Sequence, residues 1–199
     1  LLKGAQVGHI LRDSAASILI TSVDRLAEVA AEVAAAPALR AVVVTGGEPP
    51  APVRAGLAQL AWLALLAGGT RPLHRVIDND LAAILYTSGS TGKPKGVVLS
   101  HRNIVAGALS VAGYLGNTAS DRILSALPLS FDYGLSQLTT AFHVGAAVVL
   151  INHLFARDIV KMVADERITG LAGVPPLWIQ LSQLAWPASC TLRYLTNSG

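Results

Sequence analysis

The chain has 199 residues, of which 52% are hydrophobic and 14% are charged, so its composition is that of a globular domain and not of a disordered segment. Fifteen Lys and Arg side chains stand against twelve Asp and Glu, and neither sign gathers in one block, which argues against a nucleic-acid partner. The single cysteine, Cys190, excludes an internal disulfide and favours a reducing, cytoplasmic compartment. We expect this cysteine to be a small, buried apolar residue.

The longest apolar run, at 57–67, contains Gln59 and is shorter than the ~20 residues that a membrane-spanning helix requires. It predicts a buried or partner-facing helix and no membrane span. The first residues lack an initiator Met and the apolar core of a signal peptide. With an abrupt end at Gly199, these features favour an internal segment of a longer protein.

Strand-like and helical patterns alternate in the first part of the chain. Residues 17–21 (SILIT) and 41–45 (AVVVT) predict strands, and residues 24–36 predict a helix between them. The Gly- and Pro-rich segments at 46–52 and 68–72 predict loops. This alternation is typical of an α/β fold, in which helices cover a mostly parallel β-sheet.

The remainder of the chain continues the same alternation. The run at 81–87 (LAAILYT) is apolar almost throughout and leads into a polar, glycine-rich segment, as expected of a buried strand that ends at a functional site. We therefore divide the chain into a first α/β subregion, residues 1–80, and a second, residues 81–199. Further strands are predicted at 97–99, 123–127, 146–151, 169–173 and from 192, and helices at 100–115, 155–167 and 175–184.

The segment at 86–97, YTSGSTGKPKGV, concentrates hydroxyl side chains, glycines and two lysines within twelve residues. Gly89 and Gly92 permit backbone conformations in which successive N–H groups point into one concavity, and the lysines bring positive charge to a polyanion. Pro94 limits how far the empty loop can collapse. The segment predicts a phosphate-binding loop.

Two alternatives compete with this interpretation. A flexible Ser/Gly linker has a similar composition, but two lysines and a proline argue against a mere linker. The P-loop of NTPases needs four residues between its first glycine and a Gly-Lys pair that Ser or Thr follows. Here two residues separate Gly89 from Gly92, and Pro94 follows Lys93, so the spacing excludes that loop.

The sequence YTSGSTGKPKGVVLSH, at 86–101, closely resembles the phosphate-binding signature of AMP-forming acyl-CoA synthetases, peptide-synthetase adenylation domains and luciferases. The resemblance extends to residues 8–14 and 195–199 and covers nearly the whole chain. The segments at 127–138 and 172–178 resemble, more narrowly, the ligases associated with exosortase and exopolysaccharide clusters. The resemblance implies part of the large N-terminal domain of that fold.

The family resemblance implies that a carboxylic acid attacks the α-phosphate of Mg²⁺-ATP, and that a thiol such as CoA then takes the acyl group from the acyl-adenylate. It implies a cytoplasmic ligase of fatty acid metabolism. Thr91 and Lys95 are the implied catalytic residues, and Thr87 is the candidate for contacting Mg²⁺. The implied phosphate-binding set is Thr87, Ser88, Gly89, Ser90, Thr91, Gly92 and Lys95.

A second segment, Phe131, Asp132 and Tyr133, matches the family's element beside the acyl pocket. Many acyl-CoA ligases have a histidine where this chain has Phe131, whereas the Phe-Asp pair resembles that of amino-acid-activating domains. In those domains the aspartate binds the substrate's ammonium group. Asp132 therefore either binds such a group or caps nearby backbone N–H groups, as Asp does in turns.

The family's acidic metal partner, ribose-binding aspartate and mobile C-terminal domain with its adenylation lysine are expected beyond residue 199. We therefore expect the isolated chain to be unable to complete adenylation. Two other functions stay open: an adenylation domain that loads a carrier-protein thiol instead of CoA, and a noncatalytic nucleotide-binding module.

Overall fold

The computed structural model describes residues 2–70, 72–87, 93–152 and 154–198. Within these residues the chain forms an alternating series of strands and helices, as the sequence pattern predicts. In chain order the elements are α1 (Gly4–Asp13), β1 (Ile18–Ser22), α2 (Val23–Glu28), α3 (Ala30–Ala34), β2 (Ala41–Thr45), β3 (Ala58–Ala61), α4 (Trp62–Ala67), β4 (Leu81–Thr87), β5 (Lys95–Ser100), α5 (His101–Leu115), β6 (Arg122–Ser125), α6 (Asp132–Val144), β7 (Ala147–Leu150), α7 (Ala156–Asp165), β8 (Gly170–Gly173), α8 (Pro175–Ser182) and β9 (Tyr194–Asn197).

The first sheet has the strand order β1-β2-β3, and both strand pairs are parallel. The central strand, β2, buries its three valines, as expected of a parallel strand that is covered on both faces. Leu11 of α1, Leu26 of α2 and Val33 of α3 pack into the same apolar core. Each fully buried aliphatic side chain contributes roughly 1.5–3 kcal/mol to the hydrophobic driving force.

The second sheet has the order β7-β6-β8-β9 and is parallel throughout. Leu124 of β6 and Leu171 of β8 are fully buried against Ile159 of α7 and Leu181 of α8. Trp178 packs on the same core. The predicted α/β class with mostly parallel sheets is confirmed.

Strands β4 and β5 form a separate two-stranded sheet. Immediately after β5, Ser100 caps α5: its Oγ accepts a hydrogen bond from the backbone N–H of Asn103, at 3.2 Å. The helix ends at Gly116 in the left-handed conformation, with φ of 59°. The sequence predicted both the cap and the end of this helix.

The chain divides into two compact units. One unit comprises Leu1–Val76 and Tyr86–Val98, and the other comprises Ile77–Leu85 and Leu99–Gly199. The division of the chain at residue 80 stays a prediction.

Two predicted helices differ from the structure. The helix predicted at 57–67 begins instead as strand β3, because residues 58–61 pair with the open edge of β2, and only 62–67 are helical. The helix predicted at 24–36 is interrupted at Val29, whose φ of −111° and ψ of 14° leave the helical region.

Two further features were missed or wrong. Helix α6 was not predicted from the sequence, because Gly134, Ser136 and the threonines at 139 and 140 weaken its helical pattern. The prediction that Cys190 is buried was wrong: it is exposed, since it lies in the irregular segment between α8 and β9, where no helix or strand covers it.

None of the helices in the described residues combines the length and the hydropathy of a membrane span.

Candidate active site

The predicted phosphate loop joins two paired strands. Thr87 is the last residue of β4 and Lys95 is the first residue of β5, and both side chains are exposed. The sequence-predicted residues Ser88, Gly89, Ser90, Thr91 and Gly92 lie outside the described residues. Lys93, which precedes Lys95 by two residues, is exposed as well, so the described ends of the loop present one threonine hydroxyl and two ammonium groups to solvent.

Helix α1 holds the chain on both sides of this loop. The Tyr86 hydroxyl donates to Asp13 Oδ2 at 2.6 Å, and His9 Nε2 donates to the Pro94 carbonyl oxygen at 2.9 Å. His9 and Asp13 are four residues apart on α1 and therefore share one face of the helix. A carbonyl oxygen can only accept, so this contact places the proton of His9 on Nε2.

The Tyr86 phenol is stabilised in its protonated form. Burial, the hydrogen bond to Asp13 and the negative charge of that carboxylate all raise the pKa of Tyr86. The phenol therefore stays a donor at neutral pH. Two residues, one on either side of the loop, are anchored to the same helix.

The three predicted pocket residues, at the start of α6, have different surroundings. Asp132 is exposed, and its Oδ1 accepts a hydrogen bond from the backbone N–H of Tyr133, at 2.7 Å. Phe131 rests edge-on against the ring of Tyr133, with ring centroids 6.4 Å apart. The Tyr133 hydroxyl in turn donates to Thr196 Oγ1.

Gly134 allows this turn to close. A Cβ at position 134 would overlap the carbonyl oxygen of Pro128 and would lie 3.1 Å from that of Leu127. Only glycine lets the first turn of α6 approach the segment after β6 this closely. The approach brings Tyr133 over the carboxyl ends of the neighbouring strands.

Tyr133 forms part of the wall of a cavity of about 280 Å³. The cavity lies between helices α5 and α6 and the strands β6, β8 and β9. Asp132 and Phe131 are not in this wall, and Asp132 lines a smaller cavity of about 120 Å³. The wall of the larger cavity consists of Val111, Tyr114, Leu115, Ile123, Tyr133, Ser136, Gln137, Thr140, Ala172, Tyr194, Thr196, Asn197 and Ser198.

Sequence reasoning missed most of these residues. The polar members of α6 were missed because the helix itself was not predicted. Their spacing offered a signal, since Ser136, Gln137 and Thr140 recur at the positions that share one face of a helix. The β9 residues were recognised only as a strand entering a glycine turn.

A buried carboxylate supports the cavity from one side. Asp121 is 2% exposed and accepts hydrogen bonds from Arg193 Nε and Nη2, at 3.0 and 2.7 Å, and from the Thr169 hydroxyl, at 2.7 Å. Burial raises the pKa of Asp121, but these hydrogen bonds outweigh it and hold the pKa well below its ordinary value. Asp121 is therefore ionised at neutral pH.

The same network reaches the cavity wall through Tyr194. Asn117 Nδ2 donates to the Tyr194 hydroxyl at 2.9 Å and to Asp121 Oδ2 at 3.4 Å. Gly170 leaves room for the phenol, because a Cβ there would overlap the Tyr194 hydroxyl. Burial raises the pKa of Tyr194, so the wall carries a neutral phenol at this point.

A family model described as "AMP-binding enzyme" matches residues 1–197. The chain belongs to the AMP-binding enzyme family. The resemblance predicted from residues 86–101 is thereby confirmed. The narrower resemblance to exosortase-associated ligases stays a prediction.

Relatives of the chain include proteins named as synthases and proteins named as CoA ligases. The chain is 40% identical over 113 residues to tyrocidine synthase 3 of Brevibacillus parabrevis, a match over 55% of the chain and 2% of that protein. It is 34% identical over 123 residues to 4-coumarate–CoA ligase-like 6 of Arabidopsis thaliana, a match over 59% of the chain and 22% of that protein. The chain thus spans less than a quarter of either relative.

Among solved structures, the chain is similar to the anthranilate CoA ligase AuaEII in complex with anthranoyl-AMP. That match has a TM-score of 0.86 at 25% identity and covers 99% of this chain and 39% of the ligase. MbtA of Mycobacterium smegmatis matches with a TM-score of 0.82 at 27% identity, over 100% of this chain and 36% of its own. The fold is that of the N-terminal domain of adenylate-forming ligases.

Proposed function

We propose that the protein activates a carboxylic acid with ATP and transfers the acyl group to the thiol of CoA. The observation that carries this proposal is the cavity at the carboxyl ends of β8 and β9, whose wall contains Tyr133 from the segment predicted to meet the acid. Parallel sheets bind ligands at the carboxyl ends of their strands. The similarity to a CoA ligase that holds an acyl-adenylate supports the same assignment.

Two half-reactions make up this activity. In the first, a carboxylate oxygen of the acid attacks the α-phosphorus of ATP, the bond to the bridging oxygen breaks, and pyrophosphate leaves. In the second, the thiol sulfur attacks the acyl carbon, its proton goes to a base or to solvent, and AMP leaves. Catalysis rests mainly on positioning and charge neutralisation, because the protein forms no covalent bond in either step.

The phosphate loop is assigned to the pyrophosphate half of ATP. Thr87, Ser88, Gly89, Ser90, Thr91, Gly92 and Lys95 are proposed to hold the β- and γ-phosphates. In this assignment Lys95 and Thr91 act on the charge that develops as pyrophosphate departs, through an ammonium and a hydroxyl group. The anchoring of Tyr86 and Pro94 to α1 supports the assignment, because it holds fixed the chain on both sides of the loop.

Mg²⁺ is the metal that the family implies beside these phosphates. Mg²⁺ prefers oxygen ligands and is commonly held by substrate phosphates and water, with only one or two ligands from the protein. Thr87 is exposed at the end of β4 and offers one neutral oxygen, which fits this limited role. The ion would neutralise phosphate charge as the bond to pyrophosphate breaks.

A second candidate function differs from the first in the thiol that accepts the acyl group. The relatives include tyrocidine synthase 3 and hybrid PKS-NRPS synthetases, and this favours a carrier-protein thiol as the alternative acceptor. Against an amino-acid substrate stands the position of Asp132, which accepts a hydrogen bond from the next backbone N–H and lies outside the larger cavity. We therefore favour a cytoplasmic acid–CoA ligase over an amino-acid-loading domain.

The test uses the protein expressed from its complete reading frame. Acid-dependent exchange between pyrophosphate and ATP is measured over a panel of aryl, aliphatic and amino acids. Product analysis with CoA and with a phosphopantetheinyl carrier protein then identifies the acceptor. We expect exchange with simple carboxylic acids and formation of the CoA thioester. ATP binding without exchange for any acid would instead indicate a noncatalytic nucleotide-binding module.

A further inference from the structure

Two polar side chains in the cavity wall have unused hydrogen-bonding capacity. Gln137 and Thr140 are 6% and 2% exposed, and both belong to the larger cavity. Among the described residues, no group bonds to Gln137 Oε1 or to Thr140 Oγ1. The other end of the Gln137 amide is used, because Nε2 donates to the Tyr133 carbonyl oxygen at 3.4 Å.

Such groups are unfavourable in an empty protein. A buried acceptor without a partner has lost its hydrogen bonds to water and gained none in return. Native structures contain only a few such atoms, and each calls for a physical explanation. A valine in place of Thr140 or a leucine in place of Gln137 would occupy similar space without this cost. A ligand that supplies the missing partner accounts for both polar residues.

We propose that the acid bound in this cavity carries a neutral hydrogen-bond donor on its acyl part, a hydroxyl or an aromatic amine, which Gln137 and Thr140 recognise. This inference rests on the proposed function and names the substrate class of the same site. Gln137 and Thr140 are three residues apart on α6 and so share one face of the helix. A substrate hydroxyl can donate to Gln137 Oε1 and accept from the Thr140 hydroxyl at the same time.

The donor is neutral because the cavity offers no counter-charge. In the part of the wall that the structure describes there is no carboxylate, lysine or arginine. The nearby carboxylate, Asp121, lies outside the wall and is already paired with Arg193. Tyr133 and Tyr194 contribute phenols that burial keeps protonated, because burial raises the pKa of each. An ammonium group in this cavity would be desolvated without a partner.

The cavity also limits the size of the recognised group. Its volume of about 280 Å³ lies just below the range of roughly 300–1,000 Å³ that is usual for small-molecule sites. A compact hydroxy- or amino-substituted aryl or short aliphatic acid fits this space.

The experiment compares matched acids with the protein from its complete reading frame. Pyrophosphate exchange gives kcat/KM for benzoate against hydroxy- and aminobenzoates, and for a short aliphatic acid against its hydroxy derivative. Wild-type protein should prefer the donor-bearing member of a pair by about tenfold or more, because the analogue without a donor leaves the acceptors unpaired. Thr140→Val and Gln137→Leu should each reduce that preference, and Thr140→Ser should retain it.

The free proteins provide a second readout. Because Thr140→Val removes an unpaired buried hydroxyl, its melting temperature should equal or exceed that of the wild type. Gln137→Leu also removes the hydrogen bond from Nε2 to the Tyr133 carbonyl oxygen, so melting is compared for Thr140→Val alone. Thr139→Val serves as the matched control: Thr139 lies one position away and outside this cavity wall, and its hydroxyl donates to the Ser136 carbonyl oxygen at 3.2 Å. The control should keep the wild-type preference.

The outcomes separate the two proposals. Exchange by the wild type without any preference for donor-bearing acids overturns this inference and leaves the proposed function intact. A preference that survives both substitutions, or a Thr140→Val protein that melts well below the wild type, overturns it as well, because the side chains would then be structural. No exchange with any acid overturns the proposed function, and this inference falls with it.

Discussion

The proposed phosphate loop and the proposed acid cavity differ in how their residues are distributed along the chain. The predicted phosphate-binding residues of the loop form one continuous run that joins β4 to β5. Two hydrogen bonds, to Tyr86 and to Pro94, connect this part of the chain to α1. The cavity draws its wall from α5, α6, β6, β8 and β9, which are spread over the second half of the chain.

The difference is the one expected from the chemistry of the two proposed ligands. A polyphosphate is recognised by backbone N–H groups, hydroxyls and positive charge, and a short glycine-rich segment can supply all of them. An acyl group is recognised by the shape of an apolar cavity and a few placed polar atoms, and that shape requires distant segments to pack together. Substitutions in the two regions should therefore have separable effects.

The largest expected effect comes from Lys95→Ala in the loop. Loss of one positive charge at the departing pyrophosphate should lower the rate of adenylation on the order of 10²-fold or more, and Thr91→Ala should act in the same direction. Folding should be unaffected by Lys95→Ala, because Lys95 is exposed. Pyrophosphate exchange and thermal melting of the same preparations measure the two quantities.

Lys93→Ala is the matched control for that change. Lys93 is also exposed and lies two residues before Lys95, so its removal changes the net charge by the same amount. We expect a much smaller loss of rate. Equal losses in the two variants would show that the loop contributes only a general positive field.

A smaller effect, on stability, is expected from Asp121→Asn beside the cavity. The substitution weakens the hydrogen bonds to Arg193 and Thr169 and should lower the free energy of unfolding by about 1.5–3 kcal/mol. Because Asn117 links Asp121 to Tyr194, the KM for the acid should rise while the KM for ATP stays near the wild-type value. Urea unfolding and exchange kinetics test the two parts.

The pH dependence gives an independent check on Asp121. Its folded-state pKa lies below the ordinary value of 3.8, so its stabilisation is fully present above pH 3.8 and is lost as the pH falls from there through the folded-state pKa. The wild type should lose stability in this range more steeply than Asp121→Asn. Asp165→Asn is the control, because Asp165 pairs with Lys161 on the surface, where its side chain is 52% exposed and its ion pair contributes little. Parallel pH profiles of wild type and Asp121→Asn would contradict the prediction.

The smallest effect is expected from Tyr86→Phe. It removes the hydrogen bond to Asp13 and should cost about 1 kcal/mol of stability, since both partners are partly accessible to water. If this contact positions the loop, the KM for ATP should rise several-fold while the preference among acids is unchanged. Asp13→Asn keeps an acceptor for the Tyr86 hydroxyl and should show a weaker effect. A change in acid preference in either variant would contradict the prediction that substitutions in the two regions have separable effects.

Several helices and strands could be predicted because residues within a short segment of the sequence determine them. The apolar run of β4, the Ser100 cap of α5 and the valines of β2 are properties of short segments, and each was found where the pattern placed it. Helix α6 was missed because its stability comes from packing: Gly134 and Thr140 are poor helix formers that the fold nevertheless uses. Strand β3 was predicted as helix because its pairing with β2 is a non-local interaction.

By itself, the sequence determined the α/β class and the family, because these depend on periodicity and on one contiguous motif, and the same motif predicts the residues of the phosphate loop. Only the tertiary structure decided which residues enclose the cavity and where Asp132 lies. It also decided that Gln137 Oε1 and Thr140 Oγ1 are buried with no hydrogen-bond partner among the described residues. Burial and hydrogen-bond satisfaction are properties of packed neighbours, and those neighbours come from segments far apart along the chain.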